Sequence, residues 1–352
     1  MLDQPSPFSS GTPVARPPVD GVLGAIGRTP LVALHAYPDR ADVHLFGKLE
    51  ASNPGGSAKD RPAARMIEDA WDRGLLGPGS TVVESSSGNM GVGLAQACRS
   101  RGLAFVCVVD ARTNRSNVLA MRALGAEVRI VTRPDPATGD LLAARLALVA
   151  EIVAATPGAF RTDQYRNPAN AVAHEDGTMR EIIEALDGRI DQLLVATSTT
   201  GTLRGCVDAL HAHGLHDTQV VAVDAMGSAL FGGTRGPRLL PGFGAGVPTE
   251  LSERAEYDRL VRVSDLDCVV GCRRLALREG VLAGASSGGL MTAFDRLAPE
   301  LPAGARCAAI LHDGGARYLE TVYDDDWVAR ELDCDAAGLA DLVAGGPALP
   351  VA

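Results

Sequence analysis

The stretch Thr81-Val82-Val83-Glu84-Ser85-Ser86-Ser87-Gly88-Asn89-Met90-Gly91 passes from a β-branched run, through hydroxyl residues and a glycine, into a helical pattern starting near Met90. The same grammar recurs along the chain. Residues 104–109, 128–131, 193–196, 220–223 and 307–311 read as buried strands, and helices begin near Ser116, Asp140, Ala169, Thr202, Asp265 and Ser287. Strands alternating with helices imply parallel sheets covered on both faces. The expected fold class is therefore α/β with two such sheets. A smaller, mobile α/β domain is expected over 47–158 and a larger α/β domain over 21–46 and 159–333. Residues 1–20 read as a disordered tail rich in Pro and Ser, and 334–352 as a loosely held one rich in Ala and Gly.

A chain of 352 residues, 46% apolar and 22% charged, is long enough for two cores. Its net charge of −10 argues against nucleic acid or an anionic membrane as partner. The longest apolar run, 141–155, is broken by Arg145 and Glu151, so no membrane span is expected. The N-terminus lacks a basic segment followed by an apolar one, and a cytoplasmic location is expected. Seven scattered cysteines without Cys-x-x-Cys spacing read as small buried hydrophobes in a reducing compartment. His211, His213 and His216 read as exposed histidines at a helix end, and no metal site is expected.

Upstream lies Asn53-Pro54-Gly55-Gly56-Ser57-Ala58-Lys59-Asp60-Arg61, a Pro/Gly turn that places one lysine at the mouth of a helix. Ala63, Met66, Ile67, Ala70 and Trp71 then recur at helical spacing. The positive end of the helix dipole disfavours the ammonium form of Lys59 and frees its amine for carbonyl chemistry. A solvated surface lysine is the plain alternative, and the loops downstream decide against it.

In doubly wound sheets, ligands bind where strand ends feed helix starts. Ser85-Ser86-Ser87-Gly88-Asn89 offers hydroxyls and free backbone amides, a receptor for a carboxylate. Dinucleotide binding is the competing reading, with Gly91-x-Gly93 and Asp110 at suitable spacing, but Gln96 occupies the third glycine position. Thr197-Ser198-Thr199-Thr200-Gly201-Thr202 follows a strand and makes a phosphate cradle without a P-loop lysine. Gly280 to Gly289 reads as a third strand end entering a helix, with Ser286 and Ser287 able to donate to a neutral ring nitrogen or to cap the helix.

Taken together, Asn-Pro-x-x-Ser-x-Lys-Asp, Ser-Gly-Asn-x-Gly, the Thr/Gly loop and Gly-x-Ser-Ser-Gly resemble, in order and spacing, the cysteine synthase/cystathionine β-synthase family of fold-type II pyridoxal-phosphate enzymes. The similarity runs from about Gly24 to Trp327. It implies that Lys59 holds pyridoxal 5'-phosphate as a Schiff base and that Asn89 bonds its ring hydroxyl. Ser198, Thr199, Thr200, Gly201 and Thr202 would grip its phosphate, and Ser286 would face its pyridine nitrogen. Ser86, Ser87, Gly88, Asn89 and Met90, with Gln164, would receive the substrate α-carboxylate. A serine rather than an aspartate at the ring nitrogen leaves a weaker electron sink, which favours β-elimination and replacement with Lys59 as the base for the Cα proton.

The chain departs from plain cysteine synthases at Tyr165, where Phe is usual, at Ser198, where Gly is usual, and at Met90, where Thr is common. These residues, with 223–228, 240–246 and 317–323, resemble a subfamily that makes N-(2-amino-2-carboxyethyl)-L-glutamate, a precursor of 2,3-diaminopropionate for siderophores and peptide antibiotics. The resemblance implies O-phospho-L-serine and L-glutamate as substrates, an enzyme-bound α-aminoacrylate between the half-reactions, and a homodimer. Arg145 matches an arginine assigned to the donor phosphate. It interrupts an apolar helix, where a guanidinium either reaches solvent or meets a buried anion. Arg235 and Arg238 are further candidates for that anion. Cysteine synthesis with sulfide is the nearer rival, and a non-catalytic binding protein the farther one.

Overall fold

The computed structural model describes residues 17–345. Its strands are β1 (Leu31–Ala33), β2 (His44–Leu49), β3 (Thr81–Ser85), β4 (Ala104–Asp110), β5 (Glu127–Val131), β6 (Phe160–Arg161), β7 (Gln192–Ala196), β8 (Gln219–Ala225), β9 (Arg259–Val263) and β10 (Arg306–Leu311). The helices are α1 (Asp60–Asp72), α2 (Asn89–Ser100), α3 (Arg115–Ala123), α4 (Leu141–Ala155), α5 (Ala169–Ala173), α6 (Arg180–Ala185), α7 (Gly201–Ala212), α8 (Asp265–Glu279), α9 (Ala285–Leu297), α10 (Asp325–Leu332) and α11 (Ala336–Ala344).

The larger sheet has the order β1-β2-β10-β7-β8-β9 and the smaller β5-β4-β3-β6. Every pairing is parallel except β1 on β2. Parallel strands need cover on both faces, and the alternation along each strand supplies it. On β7, Leu193 and Val195 join Met179, Ile182 and Leu203 on one face. Leu194 and Ala196 join Val223, Met291 and Phe294 on the other. In the smaller sheet Val82, Phe105 and Cys107 pack beneath α1 and α2, while Val83, Val106 and Val108 pack against Val149 of α4.

Helices α8 and α9 cross where neither can carry a side chain. A β-carbon on Gly271 would meet Gly288 O at 2.0 Å, and one on Gly288 would meet Cys268 O at 2.0 Å. A reciprocal Ser264/Asp267 cap sets where α8 begins, and the close crossing holds α9 against it.

Several expectations are corrected. The smaller sheet extends past 158, because Phe160 and Arg161 form β6 and pair with Val82 and Val83. At its other end, 47–49 belong to β2 of the larger sheet. Gly280–Gly289 is not a strand end: Gly280 caps the C-terminus of α8 in the left-handed conformation, and an extended turn through Ala283 leads into α9. The stretch expected to be loose after 334 contains α11, whose Leu339 is buried against the larger core. Of the expected N-terminal tail, 17–20 are exposed and the remainder lies outside the described residues, as does 346–352. All seven cysteines are buried. Among the described residues no helix is long and apolar enough to cross a membrane, and no cluster of His, Cys, Asp or Glu could hold a metal ion.

Candidate active site

Lys59 precedes α1 in a loop tied down by its own motif. Asn53 Nδ2 donates to Glu50 O at 2.9 Å and Ser57 O at 3.1 Å, while Asn53 Oδ1 accepts from Gly27 N at 2.8 Å. Ala58 N donates to His312 O at 2.7 Å, fastening the loop to the end of β10. Gly55 N donates to the Asp60 carboxylate, which leaves no room for a side chain at 55. Burial lowers the Lys59 amine to about 8, against the opposing fields of Asp313 and Glu50. Desolvation, rather than the helix dipole read from the sequence, is the largest cause.

Beneath this loop lies an ionic knot that sequence reasoning missed. Arg61 donates to Glu50 through Nε (2.7 Å) and Nη2 (2.8 Å), and to Glu181 through Nη1 (2.7 Å) and Nη2 (2.8 Å). Lys48 Nζ donates to Glu181 Oε2 at 2.6 Å and to Thr29 O at 2.6 Å. Two cations and two carboxylates cancel, and every bidentate edge of the guanidinium is used.

The cleft opens at the carboxyl ends of both sheets, lined by Lys59, Asn89, Ser198, Thr199, Thr200, Thr202 and Ser286. Four helices start at it or beside it: α1, α2, α7 and α9. Their unpaired N–H groups and dipoles favour anions. At α7, Thr200 stands in the left-handed region with φ +66°, turning the backbone into the helix. Thr202 Oγ1 lies 3.2 Å from His174 Nε2, and Asn170 Nδ2 donates to Thr199 Oγ1 at 3.1 Å. Gly201 itself is pressed against Asn170, where a β-carbon would meet Oδ1 at 2.3 Å.

The α2 start is organised by a buried carboxylate, Glu84. It accepts from Thr162 Oγ1 (2.6 Å), Ser85 N (2.8 Å) and Gln164 N (3.2 Å). Ser86 Oγ accepts from Gly91 N at 3.0 Å, Ser87 O accepts from Asn117 Nδ2 at 3.1 Å, and Gln164 Nε2 donates to Ser85 O at 3.2 Å. Gly88 stands as the residue before α2. Ser86, Ser87, Gly88 and Gln164 therefore shape the loop beside the cleft. The Met90 side chain is packed in the smaller core, leaving only its backbone toward a ligand.

Asn89 is held from two sides. Its Nδ2 donates to Asp313 Oδ2 at 2.8 Å, and its Oδ1 accepts from Arg317 Nη1. Tyr318 OH donates to the same Asp313 oxygen at 2.9 Å. Burial raises the Asp313 carboxyl, opposed by these bonds, and its Oδ1 has no partner. Both ring nitrogens of His312 are likewise enclosed without partners, and burial beside the Lys59 charge holds the imidazole neutral, down at about 3. His312, Asp313 and Tyr318 all line the cleft and were not anticipated. The signal was present: Leu311-His312-Asp313-Gly314 is another strand end running into glycine.

Arg145 and Tyr165 are not among the residues lining the cleft. Arg145 is not solvated: its side chain is 12% exposed and its Nε lies 3.4 Å from Asp110 Oδ2, an ion pair without a hydrogen bond. Tyr165 is raised by burial, with the Arg145 and Arg238 charges opposing. The Asp110 considered for a dinucleotide thus serves an arginine instead.

The donor set fits pyridoxal 5'-phosphate. Hydroxyls and amides at the α7 start suit a phosphate dianion, and an amine poised near 8 suits an aldehyde. The unpartnered His312 and Asp313 atoms mark a polar lining with hydrogen bonds still to make. The family model for pyridoxal-phosphate dependent enzymes matches residues 22–313. An N-(2-amino-2-carboxyethyl)-L-glutamate synthase of Ralstonia nicotianae is 43% identical over 332 residues, covering 94% of this chain and 96% of that protein. The solved structure of an O-ureido-L-serine synthase superposes with a TM-score of 0.81 at 32% identity, covering 89% of this chain and all of that one. An O-acetylserine dependent cystathionine beta-synthase from Helicobacter pylori gives 0.80 at 28% identity, covering 87% and 99%. A match along most of the chain, joined to a lysine set among helix starts, places this protein in the pyridoxal-phosphate dependent enzyme family, with the fold-type II α/β architecture.

Proposed function

We propose that the chain catalyses a β-replacement joining O-phospho-L-serine to L-glutamate, releasing phosphate and forming N-(2-amino-2-carboxyethyl)-L-glutamate. The reading is carried by the Lys59 amine, lowered to about 8 within a cleft ringed by helix starts. The curated relative from Ralstonia nicotianae supports the choice of product. In this reading Lys59, Asn89, Ser198, Thr199, Thr200, Gly201, Thr202 and Ser286 hold the cofactor, which supplies an electron sink for the substrate Cα when bound. Lys59 Nζ takes the Cα proton. The backbone amides at Ser86, Ser87, Gly88 and Met90, with Gln164, orient the donor carboxylate. Arg145, steadied by Asp110, and Tyr165 lie outside the cleft lining here and, in this reading, receive the donor phosphate in the closed form as the Cβ–O bond breaks. The glutamate nitrogen then bonds to Cβ and loses a proton, while Lys59 Nζ returns a proton to Cα. Movement of the smaller sheet toward the larger closes the cleft and excludes water.

We place the enzyme in the cytoplasm as a homodimer, making a diaminopropionate precursor for a siderophore or peptide antibiotic. The test is mass spectrometry of products when holoenzyme receives phosphoserine with glutamate and sulfide in competition. The glutamate adduct is expected. Cysteine as the dominant product, or O-acetylserine used while phosphoserine is refused, would overturn the substrate assignment.

A further inference from the structure

The loop 242–246 reaches the cleft from the larger sheet. Gly242 lines the cleft, Gly244 N donates to Thr197 O at 2.8 Å, and Ser198 Oγ donates to Gly244 O at 3.1 Å. The Arg238 guanidinium lies on this loop. Its Nη1 donates to Phe243 O at 3.0 Å, and a β-carbon on Gly244 would meet that nitrogen at 2.9 Å. Its Nε is sealed from solvent without a partner, and among the described residues it forms no ion pair. Arg235, three residues earlier, is paired with Asp140 at 2.8 Å.

The acidic groups whose fields reach Arg238, Asp224 and Asp265, do not come within ion-pair distance of it, although Asp224 Oδ2 is buried without a partner of its own. Asp224 Oδ1 accepts from Thr197 Oγ1 at 2.9 Å, and Asp265 accepts from Leu239 N at 3.0 Å and Leu240 N at 3.4 Å. Burial accordingly depresses the guanidinium, with Asp224, Tyr165 and Asp265 only partly compensating. A half-buried cation that has given up water without gaining a counter-ion is stabilised by an incoming anion. The two donors it leaves unbonded, Nε and Nη2, form the edge that forks a carboxylate, and of the two only Nε is sealed from solvent.

On the function proposed above, the donor's anions are already matched, its carboxylate by the α2 start and its phosphate by Arg145. The acceptor brings two more carboxylates and, so far, no cation. We propose that Arg238 is a specificity-determining residue that binds the side-chain carboxylate of the amino-acid acceptor.

The test compares holoenzyme carrying Arg238→Met, which keeps the alkyl packing, with Arg238→Lys, which keeps charge without the fork. With the visible cofactor band unchanged, Arg238→Met is expected to raise the KM for glutamate about tenfold or more, as loss of a charge-assisted bond does. The KM for phosphoserine should stay within about twofold, and Arg238→Lys should recover part of the loss. Preference for glutamate over 2-aminobutyrate, which lacks the side-chain carboxylate, should collapse in Arg238→Met. A shift confined to phosphoserine assigns Arg238 to the donor and overturns the proposal, as does no shift at all. If wild-type enzyme makes no glutamate adduct, the function fails first. Calorimetric titration with glutarate then decides the residue: binding to wild type but not to Arg238→Met supports it, and equal behaviour sinks it.

Discussion

Arg61 and Glu50 form a two-bond buried pair at 2.7 and 2.8 Å, with side chains 5% and 0% exposed, two residues after the lysine of the cleft. Their partners Glu181 and Lys48 complete a neutral set that joins α1, β2 and α6. Removing one member leaves an uncompensated charge in the interior, and that penalty exceeds the value of the pair itself. Arg61→Met is expected to cost about 3–5 kcal/mol, read as a lower urea midpoint. The double variant Arg61→Met/Glu50→Gln should lose less than the sum of its singles, because each single strands the other's charge. Additive losses would show that the two do not act together.

Acid sensitivity follows from Glu181. Burial pulls its carboxyl upward, but bonds from Arg61 and Lys48 outweigh this and hold it at about 2. The group is depressed on folding, so the unfolded chain takes up its proton first as pH falls. Its contribution is therefore present above the ordinary carboxylate range, near 4.5, and drains away toward pH 2. Urea midpoints measured between pH 6 and 2.5 should fall more shallowly in Glu181→Gln than in wild type. Parallel curves would refute the assignment.

Much of this architecture was legible. The strands at 81–85, 104–110, 192–196, 219–225 and 306–311 announce themselves as short apolar runs, and the helix starts at Asn89, Ala169, Gly201 and Asp265 stand within a residue or two of expectation. β2 was not legible, because His44-Leu45-Phe46-Gly47-Lys48-Leu49 carries a lysine in the interior. That lysine is tolerated only because Glu181, 133 positions later, neutralises it. β9 hides similarly behind Arg259 and Arg262. Within the cleft, motif residues were readable because glycine and hydroxyl spacing is local. His312 and Asp313 stand at a readable strand end running into glycine, but their role was not readable, because it depends on which strand ends meet.

The Lys59 amine should titrate far below an ordinary lysine. Trapping an aldehyde with borohydride on the cofactor-free protein, then mapping the peptide containing residue 59, should give a half-maximal pH near 8. Asp313→Asn should move that midpoint lower, since the carboxylate field favours the ammonium form. A midpoint near 10.5 in wild type would contradict the burial described for this amine.

Helix α11 is structural. Arg274 donates through Nε to Val343 O at 3.1 Å and through Nη2 to Leu342 O, and Leu339 is 2% exposed. Ending the chain after Asp335 is expected to cost about 2 kcal/mol from Leu339 burial alone, seen as a lower thermal midpoint with the catalytic KM values unaltered. An unchanged midpoint would mean the helix adds nothing.

The four helix starts that converge on the cleft have a practical consequence for preparing the enzyme. A pocket so rich in unpaired N–H groups does not discriminate strongly among small dianions, and sulfate or inorganic phosphate in the buffer competes for the same cradle. Refilling of the stripped protein should accordingly run faster in chloride than in sulfate at equal ionic strength.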